Sequence, residues 1–170
     1  YFPKGRPAGT AYRFFALAGV TDRFPAHTEK AASDVTGRWK ITENAGTPDS
    51  SVMVGEFLQD SGHVTGTVLA TSGDYRYLEG KVSGNRFMVS AVDGAHSLVF
   101  VADILPDGSM EGRFIGGAKW KSVWKAVKDS TVTLPKGTEM VRLKPGASRF
   151  TFTFPDVNGK PVSLDDSLFK

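Results

Sequence analysis

Two short segments joined by a tight turn decide how this chain folds: SVMVGEFLQ at 51–59 and HVTGTVLAT at 63–71. Both are rich in the β-branched and aromatic residues that fit a pleated, half-buried surface. The residues between them, Asp60, Ser61 and Gly62, tolerate the positive φ angles that a hairpin connection needs. The sequence therefore predicts two antiparallel strands at this point of the chain.

Segments of the same composition, separated by turn residues, continue on both sides of this hairpin. Clusters of Gly, Asp, Asn and Ser separate six further segments of similar composition, and we predict strands at 36–43, 74–82, 85–92, 96–104, 109–116 and 118–127. Eight consecutive strands with tight connections favour an antiparallel up-and-down meander. Because a meander of this length leaves two unpaired edges unless it closes, we expect an all-β fold in which about eight strands form a barrel.

Two details of the pattern support a barrel. In the last predicted strand, Trp120, Ser122 and Trp124 share one face, and lysines occupy most of the other, as in a strand with one buried and one solvated side. The lysine face is interpreted as solvated, with an anionic partner surface as the alternative. A Gly that precedes a basic residue or Thr recurs four times, and we interpret these glycines as barrel corners: Gly37, Gly66, Gly80 and Gly112.

The pattern divides the chain into three regions. Residues 1–35 form an N-terminal strand and loop region that we expect to pack on the barrel. Within it we predict a strand over 10–18 and one or two helical turns over His27–Asp34. Residues 36–129 form the barrel, and residues 130–170 form a linker.

The linker carries its own signals. One short strand is predicted near 139–143, and a hairpin is predicted from the strictly alternating RFTFTF at 149–154. The turn pairs Pro155-Asp156 and Asn158-Gly159 follow this segment. We therefore expect residues 149–170 to lead into a further structural unit.

The composition excludes several classes of function. The 170 residues include 0 Cys, which removes disulfides, thiol nucleophiles and Cys-based zinc sites from this chain. The formal net charge of +3 is too small to indicate nucleic acid as a partner. No apolar run approaches the ~18–20 residues of a membrane-spanning helix. Because the chain starts at Tyr1 and shows no signal peptide, we expect that it is processed or belongs to a longer protein.

The most unusual group of polar residues is GDYRYLEG at 73–80. Asp74 and Arg76 share one face of the predicted strand, and Glu79 lies on the other. If the Asp74–Arg76 face points inward, the pair can hold a polar ligand at the barrel mouth. Otherwise it forms a rim salt bridge that closes the barrel.

Two other places carry candidate ligand-binding residues. Asp93 and His96 flank a predicted turn, where an aspartate usually bonds its own backbone, so turn chemistry is favoured over a metal site. Trp120 and Trp124 fit the barrel core or its mouth, where they can also grip an apolar ligand. The sequence contains no GxSxG, HExxH or P-loop motif. We therefore assign no catalytic residue, metal site or cofactor.

The segment VGEFLQDSGHVTGTVLATSGDYRYLEGKVSGNRFMVSAVDGAH at 54–96 resembles the barrel-type N-terminal domain of TlpA-like, peroxiredoxin-related bacterial thiol–disulfide oxidoreductases. The resemblance continues through DGSMEGRFIGGAKWKSVWKAVKD at 107–129 to RFTFTFPDVNGKPVSLDDSLFK at 149–170, which is similar to the run-in to the thioredoxin-fold domain of that family. It implies a periplasmic or otherwise extracytoplasmic setting. It also implies a covalently linked thioredoxin-fold domain whose redox centre lies beyond Lys170.

These observations leave three hypotheses of function. The resemblance implies a non-catalytic barrel domain that positions or presents a redox domain. Alternatively, the barrel binds a small molecule or peptide, which requires a hollow rather than a filled interior. An independent enzyme would need its titratable candidates, Asp74, Arg76, Glu79, Asp93 and His96, to meet in one cleft. We also expect a homodimer by edge pairing if the barrel stays open.

Overall fold

The computed structural model describes residues 18–94, 96–117, 120–141, 143, 145–149 and 152–164. The chain forms two compact units, Tyr1–Leu134 and Pro135–Lys170. Residues 10–17 of the first predicted strand lie outside the described residues.

Nine strands build one antiparallel sheet in the first unit. They are β1 (Gly37–Glu43), β2 (Ser51–Asp60), β3 (His63–Ala70), β4 (Gly73–Asp74), β5 (Leu78–Ser83), β6 (Arg86–Val92), β7 (Ser97–Ile104), β8 (Met110–Gly116) and β9 (Trp120–Lys128). Neighbours in the chain pair with each other, except that β5 pairs with β3 rather than with β4. The prediction of an all-β antiparallel barrel of eight strands is confirmed, with the short β4 as an additional strand beside β3.

The barrel closes between its first and last strands. On β1, Trp39 lies opposite Lys128 of β9, and Glu43 lies opposite Trp124. Each of the eight barrel strands, all within the described residues, is therefore hydrogen-bonded on both sides. The expected homodimer by edge pairing assumed an open barrel, and this closure removes its physical basis.

Large side chains fill the barrel interior. Ring centroids of Phe57 and Phe87 lie 5.0 Å apart, and those of Phe100 and Phe114 lie 4.7 Å apart. Trp124 connects the two pairs, at 6.3 Å from Phe87 and 6.1 Å from Phe100. All five side chains are buried. An eight-stranded barrel is narrow enough for side chains to fill it, and burial of these rings stabilises the fold.

Three of the four glycines noted in the sequence lie where neighbouring strands approach closely. A Cβ atom at Gly66, Gly80 or Gly112 would lie 2.1, 2.0 or 2.1 Å from a carbonyl oxygen of the adjacent strand. No side chain fits at such a distance, so only glycine allows the strands to pair there. The fourth, Gly37, has a φ of +128° and open space around it.

The predicted continuous strand over 74–82 is wrong, because the chain leaves the sheet between β4 and β5. The Asp74 carboxylate accepts a hydrogen bond of 2.9 Å from the backbone N–H of Arg76, whose φ is +65°. This is the local side-chain-to-backbone bond by which aspartate competes with strand pairing. Tyr75 still donates its backbone N–H to the carbonyl oxygen of Val68, so the interruption is short.

The predicted helical turns over His27–Asp34 are also wrong. Ala31 forms a parallel bridge with Gly84, and the backbone N–H of Ala32 donates to the carbonyl oxygen of Gly84 at 2.9 Å. The N–H of Gly84 donates in turn to Lys30. Backbone groups that a helix would pair locally are therefore paired with the turn between β5 and β6.

The second unit contains a short helix and a hairpin. The helix α1 spans Gly137–Met140 and includes the first two residues of the strand predicted near 139–143. Glu139 accepts a hydrogen bond from the Lys136 N–H at the start of this helix. The predicted hairpin is confirmed: β10 (Thr153–Pro155) pairs with β11 (Pro161–Ser163). The Asp156 carboxylate shapes its turn by accepting the N–H groups of Asn158 and Lys160.

Candidate functional site at the barrel mouth

One end of the barrel is closed by residues 31–36, which we call the plug. Val35 of the plug is buried in the core, and its carbonyl oxygen accepts a hydrogen bond of 2.8 Å from the Trp39 indole N–H. Gln59 holds the plug from the side. Its Oε1 accepts the Val35 N–H, and its Nε2 donates to the Ser33 carbonyl, each at 3.0 Å. Three backbone polar groups of the plug are thereby paired by side chains, although the plug lies against an apolar interior.

Residues before the plug are held on the outer wall of the barrel by ion pairs. Asp22 pairs with Lys81 at 2.5 Å, and this hydrogen bond is the main cause that lowers the pKa of Asp22. Arg23 pairs with Glu79 at 3.1 Å, and the other oxygen of Glu79 lies 3.1 Å from Nε2 of His63. Glu79, a predicted site residue, therefore fastens the N-terminal segment to the barrel.

The opposite end, which we call the mouth, contains a half-buried carboxylate. Glu43 follows Trp39 and Ile41 on the inward face of β1, so its side chain lies inside the barrel rim. Its Oε1 accepts a hydrogen bond from the hydroxyl of Ser122, and its Oε2 accepts one of 3.2 Å from Ser51. Both serines lie on strands that pair with β1, so three neighbouring strands position this group.

Tyr75 packs across the aromatic rings at the mouth. Its ring centroid lies 5.1 Å from Phe100, 5.2 Å from Phe114 and 6.0 Å from Trp120. Burial raises the pKa of the Tyr75 phenol to about 12, and the negative charge of Glu43 adds to this shift. The phenol therefore stays protonated at neutral pH.

The two predicted tryptophans lie at different depths of the same wall. Trp120 is 51% exposed at the rim and packs edge-on against Phe114, at 4.7 Å between centroids. Trp124 is buried, and its indole N–H has no hydrogen-bond partner among the described residues. Ser122 lies between them on the same inward face of β9, as the alternation of this strand predicted. The structure thus brings Trp120 and Trp124 together around the Glu43–Ser122 pair.

The inward orientation considered for Asp74 and Arg76 is wrong. Both residues are exposed, and the residue between them, Tyr75, is the buried one. The turn at Arg76 reverses the expected alternation, because the Asp74 carboxylate bonds the Arg76 backbone. The two side chains therefore lie outside the barrel interior.

Asp93 and His96 form a local group in the loop between β6 and β7. The Asp93 carboxylate accepts the backbone N–H of His96 at 2.7 Å, and its oxygens lie 3.1 and 3.2 Å from the Nδ1 of the same histidine. Both residues are exposed. This is the turn chemistry that the sequence favoured. No group of three or more His, Asp and Glu side chains in the described parts of the chain is placed to hold a metal ion.

Sequence reasoning missed four residues of the mouth: Glu43, Ser51, Tyr75 and Ser122, the last of which was assigned only to a buried face. One signal could have found Glu43, because it continues the alternation of Trp39 and Ile41 on β1. An ionisable residue in a series of buried positions is a sign of a polar site. Tyr75 gave no such signal, since its orientation depends on the interruption after β4.

The comparisons with known proteins assign no family. No family model matches this sequence, and no curated protein matches it. Among the described residues, no helix has the length and apolar character needed to cross a membrane.

Proposed function

We propose that this chain is the non-catalytic β-barrel domain of an extracytoplasmic, TlpA-like thiol–disulfide oxidoreductase, and that it positions or presents a covalently linked thioredoxin-fold domain. The observation that carries this proposal is the filled barrel. Buried aromatic rings occupy its interior, the plug closes one end, and Tyr75 packs across the mouth. Such a barrel supplies a rigid surface rather than an internal binding cavity.

The placement of the titratable candidates favours this role over an independent enzyme. Asp74 bonds the turn after β4, Glu79 pairs with Arg23 on the outer wall, and Asp93 bonds His96 in another loop. A catalytic site needs such groups within hydrogen-bond reach of one another or of one substrate. The five candidates, with Arg76 in the same turn as Asp74, therefore belong to three separate hydrogen-bonded groups.

The filled interior also weighs against the alternative of a ligand-carrying barrel. Trp39, Phe87 and Phe114 are each at most 1% exposed, and together with Phe57, Phe100 and Trp124 they occupy the space that an internal ligand would need. Small ligands usually bury most of their surface in a cavity of several hundred Å3. A ligand of this barrel would therefore bind at its rim or on its outer wall.

Exposed apolar residues in the second unit support the proposal of a linked domain. The hairpin of β10 and β11 exposes Phe154 and Val157, at 64% and 100% of their surface. Its sequence is the segment that resembles the run-in to a thioredoxin fold. Exposed apolar side chains in such a segment fit a surface on which a following domain packs.

The reading frame that encodes this chain tests the proposal. We expect it to continue beyond Lys170 into a thioredoxin-fold domain with a Cys-x-x-Cys motif, preceded by a secretion signal upstream of Tyr1. A stop codon directly after Lys170, or a downstream domain without paired cysteines, would overturn the proposed function.

A further inference from the structure

Among the residues that the structure describes, the carboxylate at the mouth has no basic partner. Three glutamates of the outer wall each pair with a basic residue: Glu56 with Arg38, Glu79 with Arg23 and Glu111 with Lys125. Glu43 is more buried than any of them, yet within the described residues no Lys, Arg or His side chain pairs with it. Two serine hydroxyls are its hydrogen-bond donors.

When hydroxyl groups are the donors to a half-buried carboxylate, they offset only part of the free-energy cost of removing its charge from water. Hydroxyl groups replace part of its hydration, but they leave its negative charge unneutralised. The effective dielectric constant at such a position is lower than in water, so the electrostatic attraction between a cation and the carboxylate is stronger there than on the open surface. Glu43 therefore attracts a cation more strongly than an exposed glutamate does.

The wall beside Glu43 is aromatic. Ser122, which holds Glu43, lies two residues from Trp120 on the same face of β9, a separation of about 7 Å along a strand. Trp120 is half-exposed at the rim, and the Tyr75 ring packs beside it. Aromatic rings attract organic cations to their faces, and tryptophan does so most strongly.

We propose that the mouth is a binding site for an alkylammonium group, held between the Glu43 carboxylate and the exposed part of the Trp120 ring. A primary ammonium donates hydrogen bonds to the free lone pairs of Glu43, and its alkyl chain contacts the indole ring. The same chemistry is offered by a free aliphatic amine and by a lysine side chain of a protein partner. This site does not depend on the proposed link to a redox domain.

The test is a titration of the folded chain with butylammonium at constant ionic strength, followed through the indole N–H signals of the three tryptophans. We expect a saturable shift of the Trp120 signal, which Trp120→Phe identifies. Butyrate, the anion of matched size, is expected to give no saturable shift. Nα-acetyl-lysine amide distinguishes the sources: binding tighter than that of butylammonium indicates a lysine side chain, and weaker binding indicates a free amine.

Two variants locate the site. Glu43→Gln keeps the serine hydrogen bonds possible and removes the charge, so we expect butylammonium to bind at least about tenfold more weakly, as for loss of a charge-assisted hydrogen bond. Trp120→Ala removes the Trp120 signal, so its binding is followed through the indole N–H signal of Trp124 on the same face of β9. This variant is expected to weaken binding as well. Glu111→Gln removes an exposed outer-wall carboxylate and is the matched control, with unchanged affinity expected.

Three results would overturn the proposal. The first is the absence of a saturable shift in the unmodified chain. The second is unchanged affinity in either mouth variant, and Trp120→Ala decides the matter if Glu43→Gln fails to fold. The third is butyrate binding as tightly as butylammonium.

Discussion

The indole N–H of Trp39 donates a 2.8 Å hydrogen bond to the carbonyl oxygen of Val35, and this bond joins the plug to the first barrel strand. Trp124 is also buried, but its indole N–H has no hydrogen-bond partner in the part of the chain that the structure describes. The two tryptophans thus differ in hydrogen bonding while sharing a core environment. Comparing the two residues therefore separates the contribution of the plug hydrogen bond to the free energy of unfolding from the contribution of aromatic packing.

Replacing each tryptophan by phenylalanine measures the Trp39–Val35 bond. Both variants lose part of a buried ring, but only Trp39→Phe leaves the Val35 carbonyl without its donor. We expect Trp39→Phe to lower the free energy of unfolding by about 1–3 kcal/mol more than Trp124→Phe, the usual cost of an unsatisfied buried polar group. Chemical denaturation of both variants gives this difference, and equal losses would contradict the assignment.

Gln59 is predicted to hold the plug in place. Gln59→Ala leaves the Val35 N–H and the Ser33 carbonyl without their partners, so we expect a loss of about 1–3 kcal/mol and faster hydrogen exchange of the Val35 amide. Gln59→Glu keeps an acceptor for the Val35 N–H but turns a carboxylate oxygen toward the Ser33 carbonyl oxygen, so this variant should also be destabilised. An unchanged Val35 exchange rate in Gln59→Ala would show that the plug stays closed without this side chain.

Close strand approach at Gly80 predicts a steric effect. The new Cβ of Gly80→Ala would lie 2.0 Å from the Met88 carbonyl oxygen, so the strands must shift, and we expect destabilisation of about 1–3 kcal/mol or more. Gly137→Ala is the control, because that position has open space and a negative φ. It should leave barrel unfolding unchanged. Similar midpoints for both variants would rule out the close approach at Gly80.

The raised pKa of Tyr75 predicts loss of stability at high pH. The folded state holds the phenol proton up to about pH 12, whereas a tyrosine of the unfolded chain ionises near pH 10. The unfolded state therefore binds fewer protons between these values, and stability falls as the pH rises from about 10 to 12. Tyr75→Phe should remove this part of the pH dependence.

Ultraviolet titration of the folded chain checks the same point. An ionisation step near pH 12 is expected from Tyr75, and Tyr75→Phe should remove that late step. Tyr77→Phe, which deletes a 93% exposed phenol, should leave it unchanged. A late step that survives in Tyr75→Phe would contradict the assignment to Tyr75.

Alternation and turn residues predicted the barrel well. Each of the eight strands was located, because a strand with one buried and one solvated face shows in every second residue. The break after Asp74 was missed, because a carboxylate bonding the backbone two residues on overrides strand propensity locally. The helix at Gly137 was missed because a four-residue segment carries too little periodicity.

The plug and the mouth could not be predicted in the same way. Residues 31–36 show no period, and their hydrogen bonds go to Gln59 and Gly84, which are distant in sequence. At the mouth, Trp120 and Trp124 were predicted as candidates, but the carboxylate between them was not. Its position depends on which strands pair across the barrel closure, and a single sequence does not show that pairing.

The proposed division between a structural barrel and a linked redox domain is tested by the reduction of insulin by dithiothreitol, followed by turbidity, with this chain and with the whole protein of its reading frame. We expect the chain alone to leave the rate at the uncatalysed value, because it has no cysteine and its candidate polar residues lie in separate groups. The whole protein should accelerate the reaction, and its variant with both redox cysteines replaced by serine should not. Acceleration by the isolated chain would contradict the proposed function, and so would a whole protein that does not accelerate the reaction.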